Sequence, residues 1–309
     1  MTLSSRSAER IALLYRAAKR NGSLVSAEEL SKLLPENASR TEVEDAIATM
    51  PSLRARFELR SGYLTERDAV HSVDPLRLEE DSRRTARRNF LHAAEFAPLL
   101  RTSGFGLLAV SGSTSYGSAS LSKDADLFCV APAGKMWLSL TRGLLMARVY
   151  ALLHRDAPSV CLSCVMDWDY ARATFEHRRH PLFARDAVEA KVFVGKALYS
   201  SLLRTAGWIS DYYPVAYAHA VSSPSPANPR PASALSRLLN GVLYILIGRY
   251  MLAKSSLLNR RLKNGRRNGA VFAVRSGPDH LIYESRRYID LKKEYEMAES
   301  SSRGHAITS

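Results

Sequence analysis

The sequence has few cysteines, a shortage of acidic residues and no long uncharged apolar run. Its three cysteines, Cys129, Cys161 and Cys164, are too few for a disulfide framework and fit a reduced compartment. The longest apolar stretch, 238–246, has basic residues close to both ends, so we expect no membrane span. Charged residues stand near the N-terminus where a secretory signal needs an apolar core, and we therefore expect a cytoplasmic protein.

The shortage of acids leaves a net charge of +14, from 44 Lys and Arg against 30 Asp and Glu. Because 46% of the residues are hydrophobic, disorder of the whole chain is excluded. Residues 1–75 carry 11 residues of each sign, whereas 232–289 carry 11 basic residues and two acidic ones. The densest basic cluster comprises Arg260, Arg261, Lys263, Arg266 and Arg267. Either this cluster is a solvated loop, or it binds an anionic partner such as a nucleic acid.

The first 75 residues show three short helices and then a β-hairpin. Apolar residues recur at helical spacing over 6–20, and capping boxes at Ser26 and Thr41 open two further helices. Alternation over 56–60 and the Ser61-Gly62 pair predict the hairpin. This order of elements resembles a winged helix-turn-helix domain.

The third of these helices carries Glu42, Glu44 and Asp45, which the phosphates of DNA would repel. The hairpin region is more favourable for DNA binding, since Arg54, Arg56 and Arg60 lie in it. A structural or protein-docking role is therefore favoured for this domain, with DNA reading left open as the alternative.

The central part predicts a sheet domain that begins with a charged connecting helix over 76–98. Three apolar runs of strand length follow at 105–110, 125–130 and 160–166, and a helix over 135–153 separates the last two. The chain is therefore expected to be α+β, a mixed α/β protein built around this central sheet.

The C-terminal part is expected to be basic and mainly helical. Residues 182–219 read as helical, the Pro-rich segment 222–231 reads as a linker, and 232–258 reads as one long helix. Gly241 and Gly248, with apolar residues on most sides, favour a buried packing helix; a helix on a membrane surface is the open alternative.

The most informative segment lies between the first two predicted strands. Gly112-Ser113 follows the first strand, Gly117 lies in the loop, and Asp124 and Asp126 open the second strand. This pattern resembles the nucleotidyltransferase superfamily, which includes DNA polymerase beta and the minimal nucleotidyltransferases. The resemblance implies a nucleotidyltransferase fold that binds Mg²⁺ (or Mn²⁺) and an NTP.

The residues themselves fit that chemistry. Asp124 and Asp126, two apart on a strand, point to the same face and offer two carboxylates to a hard divalent cation. Gly112 lets the backbone approach a ligand, and Ser113 with its neighbouring amides can hold a triphosphate. Lys123 stands where the family commonly has a small polar residue, and we expect it either to contact phosphate or to compete with the metal.

The resemblance also implies a third carboxylate on the next strand, but the run 159–166 contains no acid. Asp167 and Asp169 follow it, and Asp167 is nearer the strand end, so Asp167 is the expected third metal ligand and catalytic residue. Loop aspartates without that role are the alternative, which leaves an inactive protein open.

A zinc site is a competing interpretation, because Cys161, Cys164, His177 and His180 come close to a two-Cys, two-His spacing. The two cysteines lie inside a predicted strand, where residues three apart point to opposite faces. Buried cysteines are therefore favoured over zinc.

We expect three parts: a winged-helix-like domain at 1–75, a nucleotidyltransferase catalytic domain at 76–185, and a basic helical region at 186–309. The predicted function is Mg²⁺-dependent transfer of a nucleoside monophosphate from NTP to a hydroxyl. A nucleic acid is the favoured acceptor, and a protein acceptor is possible. The alternative is an inactive regulator that senses nucleotide or binds DNA or a partner.

Overall fold

The structure is a computed structural model that describes residues 3–20, 22–67, 74–118, 124–154, 159–221, 232–264 and 272–305. It is a mixed α+β protein with one six-stranded mixed sheet and one small two-stranded sheet. The predicted fold class is confirmed at this level. The predicted linker at 222–231 lies outside the described residues.

The N-terminal part has the predicted helices and hairpin, with one further short helix between them. In chain order its elements are α1 Ser5–Arg20, α2 Ala27–Leu33, α3 Arg40–Thr49, α4 Pro51–Arg54, β1 Phe57–Arg60 and β2 Tyr63–Glu66. Ser26 and Glu29 form the predicted capping box of α2. The box of α3 consists of Ser39 and Glu42 rather than Thr41 and Glu44, so α3 begins earlier than predicted.

The hairpin turn is the predicted Ser61-Gly62 pair. Both residues have positive φ, 51° at Ser61 and 81° at Gly62, which matches the twist of a tight two-residue connection. Arg60 pairs with Tyr63 directly across it.

The rest of the chain forms the large sheet and the helices on its two faces. Its elements are α5 Pro75–Thr102, β3 Leu107–Val110, β4 Asp124–Ala131, α6 Met136–Leu153, β5 Ser159–Asp167, α7 Trp168–His177, α8 Pro181–Glu189, β6 Lys191–Val194, α9 Lys196–Thr205, α10 Pro214–Ala220, α11 Ala234–Leu243, α12 Arg249–Asn264, β7 Phe272–Ser276, β8 His280–Ser285 and α13 Arg286–His305. The order across the sheet is β6-β3-β4-β5-β8-β7. Among the strands that the structure describes, only β4 and β5 pair in parallel, through the crossover helix α6.

Three predicted strands and α6 are confirmed, but the structure adds strands that the sequence patterns did not predict. Residues 182–219, predicted to be helical throughout, contain the edge strand β6. The C-terminal region, predicted to be mainly helical, contributes β7 and β8. Since β8 pairs with β5 and Arg10 of α1 bonds to Tyr213, described contacts cross both predicted domain boundaries.

Each face of the sheet buries its own hydrophobic core. Phe128, Met166 and Ile282 lie on one face and join a cluster that includes the N-terminal helices. Leu127 and Val165 lie on the other face and pack against α5 and α6. This alternation is expected of strands that have helices on both sides.

The predicted long C-terminal helix is present as α11 and α12, joined by a π-helical turn at Tyr244–Gly248. Its expected burial is wrong, because only one of its sides packs on the second core while most of its leucines are exposed. No described helix is both long and apolar enough to cross a membrane.

Candidate functional site

The turn after β3 brings a backbone segment against the first residues of β4. The Ser111 amide donates to the Asp126 carbonyl oxygen over 3.1 Å, which continues the β3–β4 ladder into the turn. Gly112 then has a φ of 67°, a conformation that favours glycine. A Cβ built on Gly112 would lie 3.9 Å from Asp126 Oδ2, so the turn passes directly beside the carboxylate.

Local hydrogen bonds shape the loop that follows Gly112. The Ser115 hydroxyl donates to the Gly112 carbonyl oxygen over 2.8 Å, and the Ser118 amide donates to the Ser113 carbonyl oxygen over 2.9 Å. Gly117 supplies a second positive φ, 74°. The Gly-Ser segment is therefore a compact turn of the kind whose backbone groups can surround an anion.

Asp124 and Asp126 open β4 and line one cavity together, as the i, i+2 spacing predicts. Asp124 is exposed, while Asp126 is partly buried beneath it. Loss of water around Asp126 raises the pKa of its carboxyl to about 6; a hydrogen bond with Ser163 opposes the rise and the charge of Asp124 adds to it. A bound cation would relieve this repulsion.

The cavity has a volume of about 1030 Å³ and lies between the sheet, α8 and α13. Gly112, Ser113, Asp124 and Asp126 share one wall. The opposite walls include Phe183 and other apolar and aromatic side chains. A polar corner inside a mostly apolar cavity is the usual composition of a small-molecule site.

Asp186 of α8 connects the loop that contains Gly112 and Gly117 to the rest of the cavity. The Tyr116 hydroxyl of the loop donates to Asp186 Oδ1, and Tyr288 of α13 also bonds to this carboxyl. Burial raises the pKa of Asp186 to about 7, against the opposing effect of the Tyr288 bond. Arg185 lies over the Tyr116 ring, 4.3 Å from its centre, and fixes the loop from the other side.

Compared with known protein families, curated proteins and solved structures, the chain matches none. The resemblance to nucleotidyltransferases therefore depends on the motif and on the geometry of its residues.

The structure does not bring Asp167 together with Asp124 and Asp126. Asp126 lies level with Cys161 on the parallel strand β5, and Asp167 comes at the far end of that strand, about 20 Å away. There Asp167 caps α7, accepting the Tyr170 amide over 3.0 Å and the Gly134 amide over 3.1 Å. Its neighbour Asp169 is exposed in the first turn of α7.

A different acid, Glu284 of β8, lies on the cavity wall at the same end of the sheet as Asp126. Arg178 and Arg275 each lie 2.9 Å from Glu284 Oε1 and neutralise its charge. Sequence reasoning missed Glu284 because β8 itself was not predicted. The run of strand-favouring residues Leu281-Ile282-Tyr283, soon after Gly277-Pro278, was a signal for that strand.

The available ligands suit a Mg²⁺ or Mn²⁺ ion that the protein binds only in part, rather than an ion whose ligands all come from the protein. Two carboxylates, Asp124 and Asp126, suit a hard cation that keeps several waters and binds a nucleotide's phosphates at the same time. Among the described residues, no group of three or more His, Cys, Asp or Glu side chains is arranged to hold a metal. The pair would therefore need oxygen ligands from the nucleotide itself.

The cysteines of the rejected zinc interpretation lie in the same cavity wall. Contrary to the expectation of opposite faces, Cys161 and Cys164 both line the cavity, because a bulge shifts the β4–β5 register between Asp126 and Phe128. Burial raises the pKa of each thiol to about 12, so both stay neutral.

Much of the predicted basic surface cannot be placed against this cavity. Lys123, Arg266 and Arg267 lie outside the described residues, as do the side chains of Arg261 and Lys263. Arg260 is exposed on α12. The cavity's own lining includes three arginines outside that cluster: Arg20, Arg178 and Arg286.

Proposed function

We propose that the protein is a divalent-metal-dependent nucleotidyltransferase with a nucleotidyltransferase fold, and that it transfers a nucleoside monophosphate from NTP to an acceptor hydroxyl. The observation that carries this proposal is the proximity of the Gly112 turn to the Asp126 carboxylate at the wall of one large cavity. A phosphate-holding turn and a pair of metal-binding carboxylates are the two parts that phosphoryl transfer needs in one place.

The chain's residues have distinct roles in this proposal. Asp124 and Asp126 hold the metal, and Gly112 and Ser113 hold the triphosphate through the turn. The bound metal supplies charge neutralisation on the reacting phosphate and its leaving pyrophosphate. Asp186 keeps the loop in position through Tyr116, because it accepts the tyrosine hydroxyl. Asp167 is left out of the catalytic set, since it caps α7 at the other end of β5.

The acceptor is proposed to be a nucleic acid. The net charge of +14 supports an anionic acceptor. A winged-helix-like domain at the N-terminus and a cytoplasmic location belong to the same proposal. The order of three helices, the short helix α4 and then the β1–β2 hairpin supports the domain assignment.

A transfer assay tests the proposal. The protein is incubated with α-labelled NTPs, Mg²⁺ or Mn²⁺, and total RNA, small molecules or protein as acceptor. We expect label on one acceptor class, lost in Asp126→Asn and kept in the matched control Asp169→Asn, which alters an exposed aspartate on α7. Two results together would contradict the proposal: no transfer of label to any acceptor, and NTP binding that is unchanged in the variant Asp124→Ala plus Asp126→Ala.

One observation favours a second candidate, a regulator that binds nucleotide without turnover. The residue level with Asp126 on the neighbouring strand is Cys161, whose neutral thiol cannot act as a third carboxylate. Calorimetry that shows metal-dependent NTP binding, together with no transfer in the assay above, would favour this regulator. Salt-sensitive DNA binding that requires residues 1–75 would support it further.

A further inference from the structure

The helix formed by α11, the π-helical turn and α12 has an apolar face that the described part of the chain leaves uncovered. We call this the outer face. Its large hydrophobic side chains are 40% to 66% exposed: Leu235, Leu238, Leu239, Val242, Ile245, Leu246, Tyr250, Leu252 and Leu257. Scattered exposed leucines are ordinary, but a continuous set along one helix marks an interaction surface.

The orientation of this helix is fixed by its opposite side. The buried Asn240 accepts the Trp137 amide over 2.7 Å at the start of α6. Tyr244 packs on the Trp137 ring at 5.5 Å between centroids, and a Cβ on Gly248 would lie 3.3 Å from that ring. The helix therefore cannot rotate its leucines inward without breaking a buried polar contact.

The charge on the outer face has one sign. Residues 232–264 contain no Asp or Glu, and Arg249, Lys254 and Arg260 are exposed among the apolar side chains. The helix packs on the side of the sheet away from the candidate active-site cavity. Whatever binds the outer face therefore leaves the cavity accessible.

These properties select one kind of occupant. A second copy of the chain would bring arginines and lysines near their own counterparts, with no carboxylate in 232–264 to pair with them. A nucleic acid would satisfy the charges but leave the leucines in water. An anionic lipid surface suits both the basic residues and the leucines. Its headgroups pair with the basic side chains, and the acyl-chain region just below them buries the leucines.

We propose that the outer face docks the protein on an anionic membrane surface, with the helix lying in the interface and the cavity directed away from it. This docking needs no membrane-spanning segment. It is independent of the proposed transfer reaction, because the two surfaces lie on opposite sides of the sheet.

Vesicle flotation tests the docking with the full chain. Vesicles of phosphatidylcholine containing about one-third phosphatidylglycerol are compared with pure phosphatidylcholine at low and high salt. We expect binding to the anionic vesicles that weakens as salt increases. In the variant Leu238→Gln, Ile245→Gln plus Leu246→Gln, the partition coefficient should fall about tenfold or more.

Matched variants on α5 provide the controls. Leu78→Gln, Leu91→Gln plus Leu99→Gln alters three similarly exposed leucines on another helix and should bind as the parent does. Arg249→Gln plus Lys254→Gln should weaken binding about fivefold per charge removed, more than the exposed pair Arg87→Gln plus Arg88→Gln with the same change in net charge. If the apolar variant does not fold, this charge comparison still decides the proposal.

Several results would overturn the docking. One is that the parent protein does not float with anionic vesicles. Another is that the apolar and charge variants bind as well as their α5 controls. Light scattering that shows a dimer dissociated by the Leu238, Ile245 and Leu246 changes, without vesicle binding, would assign the outer face to a second copy instead.

Discussion

The two ends of the β4–β5 strand pair hold carboxylates whose pKa is raised by burial in both cases, but whose partners differ. At one end, Asp167 accepts two backbone amides, from Gly134 and Tyr170, and completes the first turn of α7. At the other end, Asp126 lies beside Asp124, and loss of water and the neighbouring charge raise its pKa to about 6.

Under the proposed function, the difference distinguishes a structural carboxylate from one that binds metal. The protein satisfies Asp167 with its own amides, so this residue needs no ligand to be stable. It leaves Asp126 in a like-charge pair whose repulsion a cation would remove. The following experiments substitute the carboxylates at one end of the strand pair and compare the result with a substitution at the other end or with the parent protein.

The largest effect is expected on catalysis. Asp124→Asn plus Asp126→Asn should lower the transfer rate about a thousandfold, because both metal-binding carboxylates are lost. Asp167→Asn should leave the rate within a few-fold of the parent. Single-turnover assays with labelled NTP measure both, and equal losses in the two variants would contradict the distinction.

The substitutions Asp126→Asn and Asp167→Ala should differ in the sign of their effect on stability. The folded-state pKa of Asp126, about 6, is above the ordinary value of 3.8, so the folded protein binds a proton between these values that the unfolded chain does not. The free energy of unfolding therefore falls as pH rises through this window. Asp126→Asn should raise it by about 1 to 3 kcal/mol at neutral pH without metal, as measured by urea unfolding.

Asp167→Ala should act in the opposite direction. It removes a helix cap and leaves the Gly134 amide without its acceptor, which should lower the free energy of unfolding by about 1 to 2 kcal/mol. The exposed neighbour Asp169 gives the control Asp169→Ala, for which a smaller change is expected. Urea unfolding of both variants makes the comparison, and an unchanged midpoint for Asp167→Ala would count against its structural role.

The smallest effect is the pH dependence of metal binding. Because the metal needs the ionised carboxyl and the pKa of Asp126 is about 6, Mn²⁺ affinity should fall about tenfold between pH 7 and pH 5. Calorimetric titration measures this, and Asp126→Asn should remove most of the dependence. A pH-independent affinity in the parent would place the metal elsewhere.

Short-range sequence patterns predicted the helices, turns and strands whose formation depends on neighbouring residues. The capping box at Ser26, the Ser61-Gly62 turn and the apolar runs of β3, β4 and β5 all depend on residues close in the sequence. The edge strand β6 pairs with the distant β3, so its own residues carried a weak signal. In contrast, β7 and β8 form a local hairpin around Gly277-Pro278, and that turn signal was missed.

The same limit applies to the candidate site. The Gly112 turn and the Asp124 and Asp126 pair are adjacent in sequence, and the structure brings them together. Asp186 and Glu284 reach the cavity through tertiary packing that no local pattern encodes. The position of Asp167 could have been predicted, since a strand, helix, strand crossover makes parallel strands and separates the start of one from the end of the next.

The sheet order has a consequence for synthesis of the chain. During synthesis, β4 is made before β5, so the two strands can pair early. The other edge of β5 can pair only after β8 has been made, because Met166 of β5 pairs with His280 of β8. Until β8 leaves the ribosome, an apolar strand has an open edge, the feature from which misassembly starts. The nascent chain thus carries Asp124 and Asp126 before the wall containing Glu284 exists.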